Sequence, residues 1–134
     1  MTANEPAEEE APDLHDDAGQ WVDTWLVPAL EGKFTGGDSG MVLCKEWYRH
    51  PLVCLRLTAL WREWEEANRK KEMSSWWVYH YDAHARVLFD SERGPMYRCT
   101  NEHRESDKTF RPNGVPPGWF DQKESGPDFT VVTT

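Results

Sequence analysis

Two pairs of potential metal ligands, each with its members four residues apart, are the strongest chemical signal in the sequence. His80 and His84 form the first pair, and Cys99 and His103 form the second. Residues four apart on a helix share a face, so two imidazoles at that spacing can hold one ion. Together the pairs would supply the one-cysteine, three-histidine set that zinc binds tetrahedrally in structural sites.

Two alternatives to this ligand set exist: a different pair of ligands, and no metal at all. The sequence favours the absence of a metal. Cys44 and His50 form another candidate pair with a looser spacing, and a Gly-Pro turn at residues 94–95 separates the two closer pairs. Histidines four apart also occur by chance, and cysteine often serves as a small buried hydrophobic residue. We therefore expect no metal and no other cofactor. If a metal is present, the expected ligands are His80, His84, Cys99 and His103.

An enzyme is the less favoured interpretation. Catalysis would use His80 or His84 as a general base, with Asp82 or Asp90 orienting the imidazole. The sequence marks no nucleophile or oxyanion hole, and it lacks the H-x-E…P-C-x-x-C and H-E-x-x-H patterns of metal enzymes. The glycine-rich run at residues 36–40 lacks the Lys-Ser/Thr ending of a phosphate-binding loop. These features predict a non-enzymatic protein.

The negative charge is concentrated at the N-terminus. Residues 1–18 contain seven of the 24 acidic residues and no Lys or Arg, so the rest of the chain has 17 acidic and 15 basic residues. A segment so charged and so poor in apolar residues cannot offset its ordering entropy. We predict a disordered acidic tail over residues 1–18 whose removal leaves stability nearly unchanged. The nearly neutral remainder disfavours strong binding to nucleic acid, which needs a positive face.

Cysteine usage and hydropathy bear on location. No segment reaches the roughly 18 apolar residues that would span a bilayer. The N-terminus lacks the basic and apolar regions of a signal peptide. Three cysteines without an export signal are most simply reduced thiols. We expect a cytoplasmic protein that does not bind membranes.

Apolar spacing predicts three helices that must position the candidate ligands. The first begins at Ala18 or Gly19 and runs to Glu31, with Gly32 as its stop and a bend at Pro28. The second begins at Pro51 and should bury one apolar stripe, consisting of Val53, Leu57, Leu60, Trp61 and Trp64.

The third helix should begin after a cap at Ser74 or Ser75 and continue to Phe89, with a break near Asp82. Short β pieces are expected at residues 41–44, 96–99 and 129–132. The predicted fold is mainly α with short β pieces. It is one domain of about three helices over residues 19–120, with a Trp-rich core and a C-terminal tail over residues 121–134.

The order of these pieces resembles an actinobacterial family called domain of unknown function 4913. The shared features run from the Trp-rich first helix to the closing Pro-Pro-Gly-Trp, and they include Trp21, Trp25, Trp47, Tyr48, His50, Pro51, Trp61, Trp64, Trp76, Trp77, His80, His84, Cys99 and His103. The resemblance covers roughly residues 19–120. It implies no activity. Because the family looks typical of actinobacteria, their plasmids and their phages, it implies an accessory role on a mobile element.

These observations favour a non-enzymatic accessory or protein-interaction module. The expected surface for an unidentified protein partner contains Trp47, Tyr48, Arg49 and Trp119. Aromatic residues and arginine are enriched at binding hot spots, where they bury large areas at low entropic cost. The alternatives are a nucleic-acid-associated protein with a local Arg/Trp surface and a small zinc-binding domain.

Overall fold

Three helices form the body of the protein. The computed structural model describes residues 11–30, 32–34, 40–100, 102–105 and 110–121. Helix α1 covers residues 18–29, as Ala18–Trp21, a π-helical turn at Val22–Leu26, and Val27–Ala29. Helix α2 is the regular α-helix Pro51–Lys70. Helix α3 covers residues 73–88, as Met73–Ser75, a π-helical turn at Trp76–Tyr81, and Asp82–Leu88. The prediction of a small, mainly helical domain is confirmed.

Helix α1 begins and ends at residues that suit those positions. Asp17 caps its N-terminus, because the Oδ1 atom accepts the backbone N–H of Gln20 at 2.8 Å. Pro28 follows the π-helical turn and has no N–H to donate, and the helix ends one residue later. Gly32 then adopts a φ of +86°, a left-handed conformation that glycine tolerates without strain. The predicted last residue, Glu31, lies outside the described residues.

Helix α2 presents one apolar face to the core. Pro51 occupies its first position, where a missing N–H costs nothing. All members of the predicted stripe are buried: Val53, Leu57, Leu60, Trp61 and Trp64. The helix stops at Lys71, which adopts a left-handed conformation, and Arg69 and Lys70 lie in its last turn, where the helix dipole favours positive charge.

Helix α3 is continuous where the sequence predicts a break. It begins at Met73, so Ser74 and Ser75 lie inside its first turn. The π-helical turn ends where the N–H of Asp82 bonds the carbonyl of Trp77, five residues earlier. The backbone then continues directly into regular α-helix.

Aromatic side chains from all three helices meet in the core. The Trp21 ring of α1 lies 6.1 Å from Trp64 of α2 and 6.1 Å from Trp76 of α3, measured between ring centroids. Trp76 also donates its Nε1–H to the Leu60 carbonyl at 3.2 Å, so the cluster is tied to α2 by a hydrogen bond as well. Edge-to-face arrangements such as that of Trp21 and Trp76 stabilise aromatic pairs beyond the area they bury. The predicted Trp-rich core is therefore present.

The prediction of short β pieces is wrong for the described residues. At residues 41–44, the only β pairing is a single antiparallel bridge between Met41 and Asp90. Residues 96–99 form consecutive turns, because the N–H of Cys99 bonds the carbonyl of Met96 at 2.9 Å. A strand needs a neighbour along several residues, and neither apolar run has one. The third predicted piece, residues 129–132, lies outside the described residues.

The acidic N-terminal segment contributes contacts to the fold. Residues 1–10 lie outside the described residues, but residues 11–17 pack on α2. The Glu65 carboxylate, only 2% exposed, accepts the backbone N–H groups of Leu14 and His15 at 2.9 and 3.0 Å. Arg69 donates to the Asp13 carboxylate at 2.9 Å. The folded domain therefore includes residues that the sequence assigns to a disordered tail over residues 1–18.

The last described segment, residues 110–121, is exposed. Residues 110–121 have no buried side chain and end in a short 3₁₀ turn, Trp119–Asp121. Most of the predicted C-terminal tail, residues 122–134, lies outside the described residues. In the part of the chain that the structure describes, no helix combines the length and apolar character needed to cross a membrane.

Candidate metal centre

Four potential metal ligands converge beside the N-terminus of α2. The ligand atoms of Cys44, His50, Cys99 and His103 all lie within 4.8 Å of one another. Cys44, His50 and Cys99 are buried, and His103 is partly buried. Two cysteines and two histidines form a ligand set that zinc binds in structural sites.

The first two ligands are brought together by a tight turn. The backbone N–H of Val42 donates to the Phe89 carbonyl at 3.0 Å, which holds the segment leading to Cys44 against the end of α3. The chain then turns through the 3₁₀ segment Trp47–Arg49, and His50 takes the N-cap position of α2. This turn places two residues that are six apart in sequence on the same site.

The other two ligands come from the turns that follow α3. Gly94 is buried in the first of these turns, where a Cβ atom would lie 2.6 Å from the Asp90 carbonyl oxygen. Only glycine allows this approach. The turns end at Cys99, whose Sγ atom lies 3.4 Å from Nε2 of His50. His103 follows, with its Nδ1 atom 3.2 Å from Sγ of Cys44.

These distances suit tetrahedral coordination. An ion bound at the usual zinc–sulfur and zinc–nitrogen distances holds its sulfur and nitrogen ligands about 3.6 Å apart. The distance from Sγ of Cys44 to Nδ1 of His103 is 3.2 Å, and that from Sγ of Cys99 to Nε2 of His50 is 3.4 Å. Both are within a few tenths of an ångström of that value. The four ligand atoms lie within 4.8 Å of one another, so some of them would have to move closer together to seat the ion.

Backbone N–H groups contact the two sulfurs, and a carboxylate contacts one imidazole. The N–H of Glu46 donates to Sγ of Cys44, and the N–H of Arg104 donates to Sγ of Cys99, each at 3.3 Å. Such hydrogen bonds stabilise negative charge on sulfur. Nε2 of His103 lies 2.7 Å from Oε2 of Glu105, the carboxylate–histidine contact that commonly supports a metal ligand.

The environment changes the proton affinity of two ligands. Burial raises the pKa of the Cys44 thiol to about 11, against a lowering by the hydrogen bond from Glu46. Burial also lowers the pKa of His50, and the proximity of His103 acts in the same direction. A lowered pKa favours the neutral imidazole, the form that binds metals. The raised pKa favours the protonated thiol of Cys44, so metal binding would release that proton.

Comparison with known proteins adds the family. A family model described as Domain of unknown function (DUF4913) matches residues 15–118. The chain belongs to this family. All four converging ligands lie inside the DUF4913 match, and so does His15, one of the residues that bind Glu65. No curated protein and no solved structure matches the chain.

Of the four ligands that sequence spacing favours for a metal, the DUF4913 domain brings only two into the four-ligand group. Cys99 and His103 do meet, but His80 and His84 lie on α3 and are not part of the four-ligand group. Nε2 of His80 lies 3.8 Å from Glu63, and Nδ1 of His84 lies 3.3 Å from Nη1 of Arg56. The looser pair, Cys44 and His50, provides the missing ligands. A useful signal in the sequence was the presence of two Cys–His pairs, each beside a turn.

The predicted partner surface is divided between different environments. Trp47 is buried and packs against the Tyr48 ring, so it belongs to the core and not to a surface. Tyr48 is 58% exposed, and Arg49 pairs with Glu46 at 2.9 Å. Trp119 is 38% exposed, on the separate 3₁₀ turn. Among the described residues, no hydrogen bond or ring contact joins Trp119 to the other three.

Proposed function

We propose that this DUF4913 protein is a small zinc-binding domain whose ion is structural. The observation that carries the proposal is the convergence of Cys44, His50, Cys99 and His103 within 4.8 Å. This departs from the expectation of no metal, which considered His80, His84, Cys99 and His103 as the ligands, with a Gly-Pro turn between the two pairs.

A structural role follows from the number of ligands. A catalytic zinc usually has three protein ligands and keeps one position open for water or substrate. Here four side chains surround the centre and three of them are buried, so no position is left open. We therefore propose a non-enzymatic protein, in agreement with the interpretation of the sequence.

The ion would join segments that are far apart in the chain. Cys44 and His103 are 59 residues apart, and His50 and Cys99 are 49 apart. In the segment from Gly94 to His103, the described residues form turns but no helix or strand, so few backbone hydrogen bonds hold them. Binding energy at such a site contributes directly to folding. Zinc would fix this segment against the N-terminus of α2.

A protein-interaction role is a second proposal, supported by the exposed segment that follows the centre. In residues 110–121, Phe110 is 85% exposed and Val115 is also well exposed. Nucleic acid is the less favoured partner, because Arg49 and Arg104 are paired with the acidic residues Glu46 and Glu102. A partner that is captured by the wild-type chain and lost with a Phe110→Ser, Val115→Ser variant would support this role. Equal capture by both chains would contradict it.

Cobalt substitution tests the metal proposal. Tetrahedral Co²⁺ with thiolate ligands gives strong visible bands and sulfur-to-metal charge-transfer absorption in the near ultraviolet. We expect both in the wild-type protein and a clearly weaker charge-transfer band in Cys44→Ser, which keeps only the Cys99 thiolate. Cys54→Ser is the matched control, because Cys54 lies on α2 outside the four-ligand group. Equal spectra for the two variants would contradict the proposed ligand set.

A further inference from the structure

The two histidines of the centre face it through different ring nitrogens. His103 points Nδ1 at Sγ of Cys44, at 3.2 Å, whereas His50 points Nε2 at Sγ of Cys99, at 3.4 Å. The two rings lie 4.8 Å apart, measured between centroids. An ion between the four side chains would therefore be bound by Nδ1 of His103 and by Nε2 of His50.

A carboxylate holds the other nitrogen of His103. Nε2 lies 2.7 Å from Oε2 of Glu105, a short distance for a hydrogen bond to an ionised acceptor. A neutral imidazole carries one N–H and one lone pair. If Nε2 donates its proton to Glu105, the lone pair is on Nδ1, which faces the sulfur of Cys44. The Glu105 contact therefore selects the tautomer that a metal needs.

Glu105 is itself held by two arginines. Nη1 of Arg98 donates to the Glu105 backbone carbonyl at 2.9 Å, and Nη2 of Arg49 lies 3.9 Å from the Glu105 carboxylate. Arg49 also binds the side chain of Glu46, whose backbone N–H donates to the sulfur of Cys44. These contacts link the turn that carries Cys44 to the segment that carries His103.

We infer that Glu105 is a positioning residue, which fixes the ring of His103 so that Nδ1, and not Nε2, binds the metal. This inference rests on the proposed zinc site. Supporting residues of this kind typically change metal affinity 10- to 100-fold. The side chain of Glu105 is 71% exposed, so water can replace part of the contact. We expect an effect near the lower limit, about tenfold.

Zinc affinity in the full chain tests the inference. Competition with a chromophoric chelator should show about tenfold weaker zinc binding for Glu105→Ala than for wild type. Glu105→Gln should restore part of the loss, because its amide oxygen can still accept the N–H of His103. The matched control is Glu102→Ala, because Glu102 is a similarly exposed acid in the same segment and its side chain pairs with Arg104 at 3.4 Å. It should bind zinc like the wild type.

A second readout reports the ligating atom directly. Long-range ¹H–¹⁵N correlation spectra of the zinc-bound wild type should show His103 bound through Nδ1 and His50 bound through Nε2. Unchanged affinity in Glu105→Ala, or binding of His103 through Nε2, would overturn this inference alone. A wild-type protein that binds no zinc would overturn the proposed function, and this inference with it.

Discussion

Glu65 is a buried carboxylate on α2, and replacing it with glutamine should destabilise the fold. Its two oxygens accept four N–H groups: those of the Leu14 and His15 backbones, the His15 ring and the Trp61 indole, at 2.9 to 3.2 Å. Glutamine keeps one oxygen and places an NH₂ group where the other was. If the remaining oxygen faces His15 and Trp61, the amide donor meets the N–H of Leu14. One hydrogen bond is then lost and two donors oppose each other.

The magnitude follows from the type of bond. A hydrogen bond to a charged group contributes about 1.5–3 kcal/mol to stability. Loss of one such bond, together with the weakening of the rest as the charge is removed, predicts a loss of about 2–3 kcal/mol in the free energy of unfolding. For a domain of this size, that corresponds to a melting temperature lowered by roughly 6–15 °C.

Thermal and urea unfolding, followed by tryptophan fluorescence, would measure the change. Glu63→Gln is the control, because its side chain is 56% exposed on the same helix. A surface substitution of that kind should stay within about 0.5 kcal/mol of wild type. If Glu65→Gln and Glu63→Gln have the same melting temperature and the same urea midpoint, Glu65 does not stabilise the N-terminal segment against α2.

Three further changes test the core and its edges by thermal or urea unfolding. Trp61→Ala should cost about 3–5 kcal/mol, as is usual for a buried tryptophan, and a melt like that of wild type would place Trp61 on a binding surface instead. Deletion of residues 1–17 should destabilise the protein more than deletion of residues 1–10, because it removes the donors that bind Glu65, and equal melts would show that residues 11–17 contribute nothing. Gly94→Ala should lower the free energy of unfolding by about 1 kcal/mol or more, because its Cβ would clash with the Asp90 carbonyl. An unchanged melting temperature would show that the turn has room to adjust.

The helices could be predicted from the sequence because their signals are local. The apolar residues of α2 recur with the helical period. Pro51 marks the beginning of α2, and Gly32 follows the end of α1. The two π-helical turns give no such signal, although each contains a tryptophan of the aromatic core, Trp25 in the first and Trp76 in the second. Residues 41–44 have an apolar character suited to a strand, but among the described residues their only β pairing is the bridge between Met41 and Asp90.

The metal centre could be predicted only in part because its ligands approach through tertiary structure. Cys99 and His103 stand out by spacing, whereas the match between them and Cys44 and His50 depends on chain segments 49 to 59 residues apart. Spacing alone favoured His80 and His84. Both lie on one face of α3, but they face Glu63 and Arg56 of α2.

The burial of an acidic side chain also depends on residues far away in the sequence. Glu65 resembles its exposed acidic neighbours in the sequence until residues 11–17 cover it.

Zinc content, measured together with the melting temperature on the same tag-free sample, is the most direct test of the proposed centre. We expect about one zinc per chain, and a lower melting temperature after treatment with a strong chelator. A Cys44→Ser, Cys99→Ser variant should lose the zinc, whereas a His80→Ala, His84→Ala variant should keep it. The proposed centre is wrong if protein prepared with excess zinc carries no stoichiometric zinc, or if the double cysteine variant retains it.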